Sequence, residues 1–296
     1  MVTALKTSIN ILLVFLFAAC TSVPDERMTP YVDFPETREL TARTLSLDSA
    51  LFRYPYRVRV QDDKAVVLDL HGTEYFFHAF HYPGFHYLSS FGKRGDAPEE
   101  MLSAENLRWN GNFLWTLDSN KSELTRLGFA SSGDSLLRLE AVSLDEELLR
   151  ALDFVQYDDS TFIIPDYSGD SRFCLVSRQG KLLHKIGTIP TTDEDALKNA
   201  HPALAQAWRS FIDYNPRNGV LAAVTQLGEV LEIYNLKDST HIVRIGPNGE
   251  PEFQISQGYG IPTGIMGFSD IQVTDSAIYV VFQGCLLYTS PSPRDS

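Results

Sequence analysis

The segment FLWTLDSN, Phe113 to Asn120, decides the fold, because its pattern returns along the chain at a nearly constant interval. In each copy, a short apolar strand ends in an aspartate and enters a turn. Asp118 lies 49 positions after Asp69 in AVVLDLHG and 48 positions before Asp166 in FIIPDYSG. Such an interval holds four short strands, which is typical of the blades of a β-propeller. The sequence therefore predicts an all-β propeller.

Strand-like segments with turn residues between them fill each interval. The first unit runs from about Tyr54 to Gly92, and two more units follow it directly. A helical pattern with an acidic start then interrupts the repeat near residues 191–211. A fourth unit resumes the strands, and a fifth is half built when it reaches Gly284. The segment RELTARTLSL, residues 38–47, precedes all of these units, and we expect it to close the ring by completing the last blade.

The stretch FGKRGDAPEEM, Phe91 to Met101, connects the first unit to the second. Gly92 and Gly95 flank a basic pair and permit the positive φ angles of a tight reversal. The basic pair could bind a ligand, but the position of the stretch in the repeat favours a structural role. We interpret it as an inter-blade joint.

Both ends of the chain differ from the repeat. Residues 1–20 form an export signal too short to span a bilayer, and its end, LFAAC, resembles the lipobox of bacterial lipoproteins. That resemblance implies lipidation of Cys20; the alternative is an ordinary secretory signal. Residues 21–37 are interpreted as a tether and 38–284 as the propeller. Residues 285–296 resemble a translated sequencing adapter, so we expect this tail to be non-native rather than a genuine flexible end.

The repeat resembles NHL-type repeats most clearly in FLWTLDSNKSELTRLGF, Phe113 to Phe129. The joint and the segment GFSDIQVTDSAIYVVFQG, Gly267 to Gly284, are similar to those of six-bladed TolB-like propeller lipoproteins of the Bacteroides group. The joint departs from that family in having Glu99 where a glycine usually follows the proline. The resemblance implies six blades, so about one and a half would be missing from this chain.

Composition excludes some functions. The formal net charge is −13, and 44% of the residues are hydrophobic. Nucleic-acid binding requires clustered Lys and Arg, so a nucleic-acid partner is not expected. Of the three cysteines, Cys20 is the predicted anchor and Cys285 falls in the predicted tail. Cys174 then remains alone in an apolar strand, which implies no disulfide.

The repeated aspartates Asp69, Asp118 and Asp166 could bind a metal, because carboxylates are ligands of hard cations. Each of them instead stands where a strand enters a hairpin, a position that favours acceptance of backbone N–H bonds. We therefore predict structural turn positions and no metal site. The histidines of the first unit lie among aromatic residues, and alternation along the strand separates His78 from His81. Aromatic packing is preferred over a metal site for these two and His86.

No catalytic constellation emerges, so catalytic residues are unknown. The chain has no G-x-S-x-G motif and no glycine loop that would hold a phosphate, and no cofactor is predicted. The glycine-rich GYGIPTGIMGF, Gly258 to Phe268, is interpreted as a joint between blades; the alternative is a loop that touches a ligand at the propeller mouth. Asp62, Asp158, Asp270 and His71 are too dispersed in the sequence to assign to a site.

We therefore predict a non-catalytic binding or scaffolding module in the bacterial cell envelope, attached to the membrane through Cys20. Its partner would be an envelope protein or a small ligand, of basic or neutral character given the acidic balance of the chain. The alternative is a metal-dependent propeller hydrolase or lyase, similar to lactonases, with its site at the mouth of the channel.

Overall fold

The computed structural model describes residues 28–32, 34–45, 52–131 and 133–287. The predicted signal peptide with Cys20, residues 21–27 and 33 of the predicted tether and residues 288–296 of the predicted tail lie outside these ranges. Within these ranges most elements are strands, and two short helices lie together between residues 194 and 207.

The described strands form four blades and a two-stranded fifth sheet, and consecutive strands within each blade pair antiparallel. Strand β1 is Met28–Pro30. The first blade contains β2 (Pro55–Gln61), β3 (Lys64–Asp69), β4 (Tyr75–His81) and β5 (His86–Lys93). The second contains β6 (Ala104–Asn110), β7 (Phe113–Asp118), β8 (Glu123–Phe129) and β9 (Leu136–Ser143). The third contains β10 (Val155–Gln156), β11 (Thr161–Pro165), β12 (Phe173–Ser177) and β13 (Leu182–Ile186).

Two helices, α1 (Glu194–Asn199) and α2 (His201–Ala207), precede the fourth blade. That blade contains β14 (Ser210–Asn215), β15 (Val220–Thr225), β16 (Val230–Asn235) and β17 (Thr240–Ile245). A hairpin of β18 (Phe253–Ser256) and β19 (Tyr259–Pro262) follows, and β20 (Ile265–Val273) pairs with β21 (Ile278–Leu286) in the fifth sheet. The prediction of an all-β propeller with about four and a half blades and a helical insertion is confirmed.

The helical insertion begins and ends at residues that explain its bounds. The Asp193 carboxylate accepts a hydrogen bond from the Ala196 backbone N–H at 2.9 Å, which caps α1. The chain breaks helical geometry at Ala200, and Pro202 then occupies the first turn of α2, where its missing N–H leaves no intrahelical bond unmade. Leu204 and Trp208 are buried against the fourth blade.

The N-terminal strand differs from our expectation. β1 pairs in parallel with β17, and the Tyr31 backbone N–H donates to the Ile245 carbonyl at 3.0 Å. β1 therefore adds a fifth strand to the fourth blade. It belongs to the segment that we interpreted from the sequence as a tether. The segment expected to close the ring was residues 38–47. Its described part, residues 38–45, forms no strand and is exposed, and Leu40 buries almost none of its side chain. An edge strand needs a buried face, which this polar stretch does not provide.

Apolar side chains pack between neighbouring sheets rather than in one central core. Trp115 of β7 meets Phe162 of β11 edge to face, with 5.1 Å between ring centroids. Cys174 of β12 lies in the same cluster, and burial raises the pKa of its thiol to about 12. A neutral, buried thiol behaves as a small apolar side chain.

The repeated aspartates connect two parts of one blade. The Asp118 carboxylate, at the end of β7, accepts backbone N–H bonds from Leu102 and Ser103, at 2.7 and 3.2 Å, just before β6 begins. It also accepts the N–H groups of Asn120 and Lys121 in its own turn, both at 3.0 Å. One carboxylate therefore fixes both the hairpin and the entry into the first strand.

Asp69 makes the entry half of this link in the first blade, and Asp166 makes the turn half in the third. Asp69 accepts the N–H groups of Arg53 and Tyr54, at 2.9 and 2.7 Å, directly before β2. Asp166 accepts the Ser168 N–H at 2.9 Å and pairs with Lys185 at 3.2 Å. The periodic aspartates are thus bound by donors of the protein itself.

The joint between the first two blades is built around its glycines. Gly92 has φ +64°, and a Cβ there would lie 2.6 Å from the Phe77 ring. A Cβ on Gly95 would meet the Glu100 carboxylate, which pairs with Lys93 at 2.6 Å. Arg94 lies 4.3 Å from the Phe76 ring centroid, so both cations of this stretch contact the joint or the blade beside it.

A buried ion pair connects the third and fourth blades. Arg172 donates from Nε to Glu232 Oε1 at 2.9 Å and from Nη2 to Ser210 Oγ at 2.7 Å. Both charged side chains are almost completely buried. A buried charge requires such a partner, because the loss of hydration is otherwise uncompensated.

We expect Asp118→Ala to lower the free energy of unfolding by about 3 kcal/mol, because four backbone N–H groups lose a charged acceptor. Asp118→Asn keeps one acceptor oxygen and should lose less. Urea unfolding followed by circular dichroism measures both. An unchanged midpoint in Asp118→Ala would contradict this role, and release of a stoichiometric metal would assign the carboxylate to an ion instead.

Candidate functional site

The first strands of the blades lie around the centre of the molecule, where β14 contacts both β10 and β20, and β2 contacts β6. The carboxyl ends of these strands surround a cavity of about 460 Å³. This is the mouth of the central channel. Its size falls within the range of about 300–1,000 Å³ that is usual for ligand pockets.

Arg108 of β6 stands at the base of this mouth and binds two carboxylates. Its Nη1 lies 2.7 Å from Asp213 Oδ1, and its Nη2 lies 3.0 Å from Asp153 Oδ1. It also donates to the Ile212 carbonyl oxygen. One guanidinium from the second blade thus reaches the segment before the third blade and the first strand of the fourth.

The two carboxylates also bind the backbone of other strands. Asp153 Oδ2 accepts the Ile212 N–H at 2.9 Å, and Asp213 Oδ2 accepts the Val273 N–H at 2.7 Å in the fifth sheet. Burial raises the pKa of Asp213 above its ordinary value, although the positive charge of Arg108 opposes the rise. The network therefore joins four sheets at the channel axis.

A second network joins the first blade to the fifth sheet. Arg59 forms a two-point contact with Asp270, at 2.7 and 2.8 Å. Arg57 Nε lies 3.3 Å from Asp270 Oδ1, and its guanidinium carbon lies 4.7 Å from the Phe211 ring centroid. Burial alone would raise the pKa of Asp270, but the two arginines lower it to about 2.

These pairs leave the mouth close to neutral. Arg57, Arg59 and Arg108 are balanced by Asp153, Asp213 and Asp270. Arg217, which also lines the cavity, pairs with Asp275 at 2.8 Å. The rest of the wall consists mainly of amide side chains and four aromatic rings: Gln61, Asn110, Gln156, Asn215, Gln272, Trp109, Trp115, Phe154 and Tyr214. Amides donate and accept hydrogen bonds without charge, and aromatic rings offer flat apolar faces. This surface is suited to a neutral polar ligand.

Only one of the dispersed acidic candidates belongs to this centre. Asp270 lies in it. Asp158 accepts bonds from Ser160 N–H and Oγ, at 2.7 and 2.8 Å, within its own turn. Asp62 is exposed at the tip of the β2–β3 hairpin, and His71 packs 5.3 Å from the Tyr54 ring.

The histidines of the first blade occupy separate environments. His78 Nδ1 lies 2.8 Å from Ser90 Oγ, and burial lowers the pKa of its imidazole. His81 lies opposite His86 across the β4–β5 pair, and its Nδ1 is 3.5 Å from Asp63. Throughout the ranges that the structure describes, no three His, Cys, Asp or Glu side chains are grouped as a metal site would require.

Sequence reasoning missed Arg108, Asp153 and Asp213. A signal for this centre exists, because a charged or amide residue stands between apolar neighbours in the first strand of each blade: VRV, LRW, VQY and IDY. In the fifth sheet Asp270 is followed by an apolar residue but preceded by a serine. Because these positions are equivalent in successive blades, they indicate side chains that share one axis. Asp153 stands in the same kind of pattern, LDF, two residues before β10.

These features define the class of protein: a β-propeller whose central arginines are paired with carboxylates and whose channel mouth is polar. A family model described as TolB-like 6-blade propeller-like matches residues 33–290. The chain therefore belongs to the TolB-like six-bladed propeller family. Comparison with curated proteins finds no match. No described helix has the length and apolar character needed to cross a membrane.

Comparison with solved structures finds only distant similarity. A Bacteroides fragilis protein described as exported shares 10% identity at a TM-score of 0.45, with 73% of this chain and 79% of that one covered. A Bacteroides vulgatus protein shares 12% at 0.45, covering 77% and 67%. Streptogramin B lyase shares 11% at 0.46, covering 79% and 63%.

The depressed pKa of Asp270 makes a pH-dependent contribution to stability. Its folded value of about 2 lies below the unfolded value near 3.9, so the contribution is present above pH 4 and disappears as the pH falls towards 2. We expect Asp270→Asn to lower the free energy of unfolding by at least about 2 kcal/mol at pH 7.

The difference from the unsubstituted protein should shrink below pH 4. Urea titrations at pH 7, 4 and 3 measure it, with Asp275→Asn as the control, because Asp275 forms an exposed pair with Arg217. A difference that stays constant across this pH range would contradict the assignment.

Proposed function

We propose that the protein is a non-catalytic binding module of the bacterial cell envelope, which recognises a neutral polar segment of a partner protein at its channel mouth. The proposal is carried by the arrangement of the channel mouth. The arginines at its base are paired with carboxylates, and the cavity above them is lined by amide side chains and aromatic rings. A peptide backbone offers the N–H and C=O groups that such amides bind.

The use of the central carboxylates supports binding rather than catalysis. Asp153, Asp213 and Asp270 each pair with an arginine, and each also accepts a backbone N–H. A general base or a metal ligand needs a lone pair that faces the substrate or the ion. These carboxylates direct their lone pairs into the frame of the propeller.

Placement in the envelope rests on the N-terminal sequence. The apolar run followed by a small-residue stretch and Cys20 is the pattern of a lipoprotein signal. Attached acyl chains would hold the propeller at a membrane surface. The mouth would then meet partners in the same compartment.

Cross-linking tests recognition at the mouth. Gln272 is exposed and lines the cavity, whereas Gln179 is exposed in the β12–β13 turn and does not line it. A photoreactive residue at position 272 should give a discrete adduct with an envelope protein, and the same residue at 179 should not. The partner's contact segment, mapped by mass spectrometry, should be rich in neutral polar residues.

Equal cross-linking from both positions, or none from 272, would contradict the channel mouth as the recognition surface. A stoichiometric metal in the purified protein, together with hydrolysis of a lactone, would replace the binding proposal with the hydrolase.

Lipidation is tested separately. Cys20→Ser should move the protein from the membrane fraction to the soluble fraction and abolish incorporation of labelled palmitate, because the thiol is the proposed acceptor of the lipid. Cys174→Ala is the control, since Cys174 is buried in β12 and lies outside the signal. Labelling that persists in Cys20→Ser would exclude the anchor.

A further inference from the structure

A second cavity, of about 240 Å³, lies at the opposite end of the first strands. Its walls come from the segment before β10, from Tyr167 after β11, from α2, from Arg209 just before β14, and from the β18–β19 hairpin. The cavity therefore opens at the other mouth of the channel, away from the amide-lined site. It is smaller than the usual range of about 300–1,000 Å³, which favours a small ligand.

The hairpin is fixed in place over this cavity. The Gly260 backbone N–H donates to Gln206 Oε1 of α2 at 3.0 Å. A Cβ on Gly260 would lie 2.5 Å from the Ala203 carbonyl oxygen, so only glycine permits this approach. The contact holds Tyr259 at the cavity wall. The glycine-rich segment, interpreted from the sequence as a joint, thus contributes to a cavity.

The cavity is positively charged in a protein whose net charge is −13. Arg150 and Arg209 line it, and none of its lining residues is Asp or Glu. Across the described ranges, no carboxylate lies within ion-pair distance of Arg209, and its buried Nε has no hydrogen-bond partner. The arginines of the other mouth are all paired, so Arg209 is available to an anion.

Tyr167 supplies a second unsatisfied group. Its hydroxyl oxygen is buried and has no hydrogen-bond partner among the described residues. Burial raises the pKa of this hydroxyl, so it stays protonated and can donate. A buried donor without an acceptor is unfavourable, and a ligand oxygen would relieve it.

We propose that this cavity binds a small amphipathic carboxylate, whose carboxylate lies between Arg209 and Tyr167 and whose apolar part lies against Leu149, Leu152 and Pro202. The planar guanidinium matches a carboxylate by two parallel hydrogen bonds. The leucine and proline walls favour a hydrocarbon body over a strongly hydrated anion such as phosphate.

Binding of hexanoate tests this directly. Isothermal titration of the purified full chain with hexanoate should show saturable binding, and hexanol and hexylamine, of the same chain length, should bind at least tenfold more weakly. Inorganic phosphate should not bind, because it has no apolar part.

Variants locate the site. Arg209→Gln should weaken hexanoate binding by at least about tenfold, the usual effect of losing a hydrogen bond to a charged group. Tyr167→Phe should weaken it severalfold. Arg138→Gln is the matched control, because Arg138 lies on the outer strand β9 and pairs with Glu123. Arg209→Lys, which keeps the charge, provides a second variant should Arg209→Gln fail to fold.

Equal binding of hexanol and hexanoate, equal weakening in the Arg138 control, or no saturable binding would overturn the proposal. This outcome is independent of the channel-mouth test, since the cross-linking position Gln272 lies in the other cavity.

Discussion

An arginine buried between β-sheets must have a carboxylate on a neighbouring sheet, and much of this structure depends on that requirement. Blades of a propeller share few backbone hydrogen bonds, so side chains hold them together. Apolar packing alone sets no angular position around the ring. Arg108 with Asp153 and Asp213, and Arg172 with Glu232, supply directed bonds that fix one blade against the next. Their hydration is lost on folding, and the paired geometry compensates for it.

The same pairing separates the two ends of the channel. At the amide-lined mouth, each arginine of the channel axis pairs with a carboxylate on a neighbouring strand. These charges stabilise the contacts between blades and are not available to a ligand. Recognition there depends on amide groups and aromatic faces. At the opposite mouth, Arg209 precedes β14 and meets no carboxylate among the described residues. Two cavities of one propeller thus differ in the chemistry they present.

Local sequence patterns predicted the blades well, because strand alternation and the turn aspartates act over a few residues. Asp118 and the α1 cap at Asp193 lie in such patterns. The central network was beyond this reasoning, since Arg108 meets residues 45 and 105 positions away. The parallel strand Met28–Pro30 was missed for the same reason: its pairing with β17 depends on an edge that only the assembled blade provides.

The glycine-rich segment was interpreted from the sequence as a joint between blades, and it does lie between the fourth blade and the fifth sheet, with Gly258 at φ +83° in the β18–β19 turn. The sequence could not indicate the close approach of Gly260 to α2, because that approach depends on a helix more than fifty positions earlier in the chain. Glycine here shapes a wall by the absence of a side chain. An anion would be bound where an arginine without a carboxylate partner lies beside that wall. The number of arginines in the chain does not determine this position.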